Sequence, residues 1–190
     1  GSSLAFVEAL AESGTVEQDR PRDVLVVSSP VTVREGNSSV TAHPGEGDRL
    51  VLSYNLDYGR GNPIGRQSRF VDLCPQSFRD DLAPSRTFLL AAEAEALRQA
   101  GIGSRTTEAD LLIFGSDGPI DNELRYPDEC VRHKILDMVG DLALAGKDLV
   151  GHVVAHKSGH QLNAALVRAL LKSAEREARP AALERHVEQE

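Results

Sequence analysis

The stretch DECVRHKILDMVGDLALAG, residues 128–146, decides the reading of this chain. Asp128 is a natural N-cap, Gly146 a natural stop, and no proline interrupts the residues between. At 3.6 residues per turn, His133, Asp137 and Asp141 fall on one stripe, each one turn beyond the last. Val131, Ile135, Met138, Val139 and Leu142 cluster on roughly the opposite side, which makes that side the core face. An imidazole and a carboxylate at i and i+4 can point at one metal ion, and zinc accepts this N/O ligand set. The same spacing also occurs on the solvated side of ordinary amphipathic helices, so the pattern alone leaves both readings open.

Downstream, Ala155-His156-Lys157-Ser158-Gly159-His160 reads as a turn feeding His160 into the start of a last helix, from about Gln161 to Arg179. Leu162, Ala165, Leu166, Ala169 and Leu170 face inward on that helix, and a charged tail follows to Glu190. His160 could act as a general acid or as partner to a developing oxyanion, with Asp141 orienting its other ring nitrogen. A helix N-terminus disfavours an imidazolium while a carboxylate favours it, and a purely capping His160 fits the same pattern. His43, His152, His156 and His186 read as structural or solvated. Arg125, Arg132, Lys134 and Lys157 supply local positive potential suited to a pyrophosphate, or else ordinary surface charge.

Upstream, runs rich in β-branched and alternating apolar residues predict strands at Val24 to Ser28, Val31 to Glu35, Ser39 to Ala42, Leu50 to Leu56, Arg69 to Leu73 and Leu111 to Gly115. Turn residues between them predict antiparallel neighbours. Short helices are expected at Leu4 to Leu10, capped by Ser3 and ended near Gly14, and around Gln76 to Asp81, with a longer one from Leu89 to Ala100. The expected fold is an α+β layered sheet and helix domain, mostly antiparallel, with two long helices.

With 190 residues, 41% of them hydrophobic, the chain can bury one sizeable core. A net charge of -8 argues against a surface that grips nucleic acid or anionic membrane by general electrostatics. Cys74 and Cys130 form no CxxC pair, so neither a thiolate zinc knuckle nor a disulfide framework is indicated. No apolar run spans a bilayer and no signal-peptide layout is present, so a cytoplasmic protein is expected.

The run Leu124-Arg125-Tyr126-Pro127-Asp128-Glu129-Cys130-Val131-Arg132-His133-Lys134-Ile135-Leu136-Asp137, with Gly140-Asp141-Leu142 and Lys157-Ser158-Gly159-His160-Gln161-Leu162-Asn163, closely resembles the UDP-3-O-acyl-N-acetylglucosamine deacetylases of lipid A biosynthesis. Ser85-Arg86-Thr87-Phe88 resembles the family's motif ahead of its second-domain helix, and Gly1-Ser2-Ser3 with Phe6-Val7 resembles the end of its first domain. The resemblance implies two similar α+β domains with the active site between them. On that reading residues 1–16 are a remnant first-domain helix, 17–22 a linker, 23–179 the second domain and 180–190 a tail. It implies zinc held by His133, Asp137 and a first-domain histidine, and a first-domain glutamate as general base. It gives His160 the oxyanion or the leaving amine, Asp141 the support of its charge, Thr87 the orientation of the carbonyl, and Lys134 and Phe88 contact with substrate. The acyl chain would lie in a passage formed by about Phe88 to Phe114, whose sequence departs from the family pattern at Gly103 to Glu108. Nothing in the chain matches the segment carrying the glutamate and its histidine, so these residues alone are expected to be inactive. Two other readings compete: a non-catalytic domain that binds acyl-sugar nucleotide or a partner protein, and a different zinc hydrolase sharing only the helix motif.

Overall fold

The computed structural model of the chain describes residues 2–103 and 110–178. In chain order the elements are α1 (Leu4–Ser13), β1 (Val24–Val26), β2 (Val31–Glu35), β3 (Ser38–His43), β4 (Leu50–Asp57), β5 (Arg66–Asp72) and α2 (Pro75–Ser77), which runs on into a π-helical turn at Phe78–Leu82. They continue with β6 (Thr87–Leu90), α3 (Ala91–Gln99), β7 (Leu111–Phe114), α4 (Glu129–Ala143), β8 (Asp148–His156) and α5 (His160–Ala178), an α+β fold as the patterning predicts. The described residues divide into two compact units, one within Gly1–Asp19 and Ser53–Leu136, the other within Arg20–Leu52 and Asp137–Glu190.

In the second of these units, β3 pairs antiparallel with β2 on one side and β8 on the other, and α5 packs on β2 and β3. The alternation is that of a half-buried sheet: Val40 and Ala42 of β3 and Val153 and Ala155 of β8 are buried between partly exposed neighbours. Leu162, Leu166 and Leu170 are buried on α5 as expected, joined by Val167 and by the polar Asn163.

Strand β8 changes partner along its length. Asp148–Val150 run parallel to β1, whereas His152–His156 run antiparallel to β3. Gly151 lies between at φ 153°, where a Cβ would fall 2.8 Å from the His43 carbonyl oxygen and 2.9 Å from Val27 Cγ2, so only glycine fits. The parallel β1–β8 pair lies outside the expectation of antiparallel neighbours, which β2 and β3 meet. That expectation followed from tight turns, whereas β1 and β8 are joined through most of the chain.

In the other unit, Tyr54 and Leu56 of β4, Val71 of β5, Leu112 and Phe114 of β7 and Val131 and Ile135 of α4 are buried. Strands β6 and β7 are also parallel, in the register Phe88↔Leu112, with α3 as the crossover. The helix expected from Leu89 therefore starts at Ala91, because Leu89 and Leu90 are used as strand. The Gln76 to Asp81 helix is instead a single α-turn followed by the π-helical turn. Helix α1 ends at Gly14, whose φ is 75°, as expected, but Ser3 does not cap it: its Oγ donates to the Ala83 carbonyl oxygen at 3.4 Å. Among the described residues no helix is long and apolar enough to cross a membrane. The pattern departure at Ser104 to Glu108, His186 and the expected tail at 180–190 lie outside the described residues.

Candidate active site

Helix α4 is continuous from Glu129 to Ala143, so His133, Asp137 and Asp141 lie one turn apart along it, as the spacing predicts. Val131, Ile135, Met138 and Leu142 are buried on its core face, and Val139 is only partly so. His133 is itself buried, 8% exposed, against the edge of Phe88 with ring centroids 6.1 Å apart. Phe88 also meets Tyr58 at 6.0 Å and Phe114 at 6.4 Å, so the two aromatics bounding the expected acyl passage are in contact. Thr87 is exposed at the start of β6, and Lys134 is half-buried beside His133.

In the unit that includes Asp137 onward, β8 reverses into α5 through Lys157, a non-glycine residue at φ 52°, whose carbonyl oxygen accepts from Ser38 Oγ at 2.9 Å. The reversal presents His160 at the first turn of α5, its Nδ1 lying 3.0 and 2.9 Å from the two carboxylate oxygens of Asp141. The imidazole is 69% exposed while the Asp141 side chain is 14% exposed, so the carboxylate is set and the ring is reachable. Behind Asp141 stands Asn163, whose Nδ2 donates to Asp141 Oδ2 at 2.9 Å and whose Oδ1 accepts from Ser158 Oγ at 2.6 Å.

The basic residues divide by what they touch. Arg132 donates to Asp128 and Asp81 at 2.7 and 2.8 Å and lies 4.1 Å over the Tyr126 ring. Its charge is therefore matched within the fold. Arg125 Nη1 donates to the Pro84 carbonyl oxygen at 2.6 Å. At the start of α4, Glu129 is fully buried and accepts from Arg86 Nε at 2.9 Å, from Arg86 Nη2 at 3.1 Å and from the Arg125 amide at 2.7 Å. Burial alone pushes the Glu129 carboxyl up, but the hydrogen bonds from Arg86 and the Arg125 amide outweigh it and hold it below its ordinary value. This pair, one turn before His133, was not singled out as a site by sequence reasoning. Its only signals are an acidic residue in the first helical turn and an arginine within the Ser85 to Phe88 motif.

The model of the UDP-3-O-acyl N-acetylglycosamine deacetylase family (LpxC) matches residues 1–172. The chain belongs to that family. It is similar to the UDP-3-O-acyl-N-acetylglucosamine deacetylase of Geotalea uraniireducens, 40% identical over 172 residues, which cover 90% of this chain and 55% of the relative. The corresponding protein of Solibacter usitatus is 36% identical over 172 residues, covering 90% of this chain and 57% of the relative. That of Chlamydia trachomatis serovar D is 35% identical over 178 residues, covering 93% and 62%. The chain thus spans somewhat over half the length of the curated relatives it matches.

Within this family member, the donors on α4 fit zinc by their chemistry: one imidazole and one carboxylate, one turn apart on a rigid helix. Among the described residues no group of three or more His, Cys, Asp and Glu side chains could hold a metal ion, so the two donors on α4 would be at most part of a ligand set. Cys130 does not extend it. Burial, then the nearby Glu129 charge, push its thiol up to about 12, which keeps it protonated at neutral pH. His43 and His152 face each other across β3 and β8 with ring centroids 6.5 Å apart, and burial followed by the His43 charge pushes the His152 imidazole down.

Proposed function

We propose that this chain is the portion of a zinc-dependent UDP-3-O-acyl-N-acetylglucosamine deacetylase of lipid A biosynthesis that supplies two metal ligands, His133 and Asp137, and an acid-base pair, Asp141 and His160. The observation that carries this reading is the Asp141–His160 pair at 2.9 Å, presented by two elements that fold for other reasons, in a chain of this family. When bound, zinc supplies Lewis-acid polarisation of the amide carbonyl and lowers the pKa of a water.

The rest is the work of side chains. Asp141 accepts from Nδ1–H of His160, which fixes the ring and leaves Nε2 for the substrate. With Nε2 protonated, His160 donates to the carbonyl oxygen as it gains charge, or passes that proton to the departing sugar amine. Thr87 orients the carbonyl, Lys134 meets the polar part of the substrate, and Phe88 meets it beside the metal ligand His133, which it already contacts. The third ligand and the general base come from a first-domain segment that nothing in these 190 residues matches, so the chain by itself is inactive or nearly so.

Acetate release from UDP-3-O-acyl-N-acetylglucosamine tests this. The chain joined to the first-domain sequence of the Geotalea uraniireducens relative should release acetate when zinc is supplied, and the 190 residues alone should not. A folded, zinc-supplied fusion that leaves this substrate intact would overturn the reading.

A further inference from the structure

Helix α5 opens with the bond from the Asn163 amide to the Gly159 carbonyl oxygen, 2.9 Å, which makes Gly159 the N-cap, Ser158 the residue before it and Asn163 the fourth residue of the helix. Those two positions ordinarily hold an apolar pair that staples the incoming chain to the helix. Here they hold a serine 5% exposed and an asparagine 1% exposed, bonded to each other at 2.6 Å. A serine and an asparagine in these places bury polar groups where an apolar pair would serve the packing, so packing alone does not explain them.

What explains them is the far end of the asparagine. A carboxylate can only accept, so Asn163 must turn its amide nitrogen to Asp141 Oδ2, at 2.9 Å. Its carbonyl oxygen is then left to accept from Ser158, and the hydroxyl fixes which way the amide faces. The oxygen that Asn163 bonds, Asp141 Oδ2, is one of the two that meet His160 Nδ1. We propose that Asn163, held in orientation by Ser158, is the positioning residue of the Asp141–His160 pair. It fixes the carboxylate so that the imidazole is held in its Nδ1–H tautomer. The inference rests on the reading of that pair as the acid-base element.

The test is nitrogen-15 NMR of His160 in the 190-residue chain at a pH where the ring is neutral, alongside the thermal midpoint. The wild-type ring should be mainly Nδ1–H. Asn163→Leu with Ser158→Ala rebuilds the staple with apolar groups, so it should keep or raise the midpoint while shifting the tautomer ratio about tenfold towards Nε2–H, as loss of a charge-assisted bond implies. Ser158→Ala alone should shift it by less. In the fusion described above, Asn163→Leu should lower kcat with KM little changed. Wild-type bias retained in the apolar pair variant overturns the proposal and leaves the acid-base reading standing. Absence of the bias in the wild type overturns both.

Discussion

Arg86 and Glu129 form a buried ion pair at the start of α4, the helix that carries His133. Both are buried, and each satisfies the other: Arg86 further donates to Asn122 Oδ1 at 2.9 Å and to the Glu123 carbonyl oxygen at 2.7 Å. Arg86→Ala leaves a carboxylate buried without its charge partner, and should cost about 3–5 kcal/mol in a urea titration. The pH dependence follows from the direction of the Glu129 shift. Its folded carboxyl lies below the ordinary value, so the stability it contributes is present above about pH 4.3 and is lost as pH falls through the folded value. Glu129→Gln should therefore flatten the acid limb of the urea midpoint against pH. Chemistry is tested one turn further on and across on α5: His160→Ala in the fused protein should lower kcat about 100- to 10,000-fold, the usual share of a general acid. The one-turn spacing of His133, Asp137 and Asp141 and the pairing of Asp141 with His160 were legible in the sequence, from the 3.6-residue period and the turn at Gly159. Arg86, Glu129 and Asn163 were not. A polar residue carries no local mark of being buried, and Arg86 meets Glu129 across 43 residues.

Among the elements, β8 with its turn into α5 sets the site. It needs two unusual backbone positions, Gly151 and Lys157. Gly151→Ala should cost about 1–3 kcal/mol by overpacking, since the new methyl meets backbone and the Val27 side chain rather than a side chain free to swing. Lys157→Gly should instead raise stability by about 1 kcal/mol, because it removes the left-handed penalty of a side chain at φ 52°. If Lys157 contacts substrate, the same change raises KM in the fused protein while the thermal midpoint rises. Most strands and both long helices were legible to within a few residues, since alternation and the 3.6-residue period survive in sequence. Strand partners were less so. The parallel pairs β1–β8 and β6–β7 are closed by distant chain, and the apolar Thr87–Leu90 run suits the start of a helix as well as a strand.

At the scale of the molecule, the chain belongs to the deacetylase family, and the zinc site proposed for it would be incomplete among the described residues. Two donors on one helix are fewer than the three protein ligands of an ordinary catalytic zinc site. The chain spans 55% of the Geotalea uraniireducens relative, and the account assigns the remaining ligand to sequence that this chain does not match. The most direct measurement is the zinc held per molecule by the chain fused to that relative's first-domain sequence, after removal of loosely bound metal, for wild type and His133→Ala. The account predicts close to one zinc in the wild type and little in the variant, with the fold of both intact by circular dichroism. Equal zinc in both proteins would contradict it, because the metal would then be held without His133.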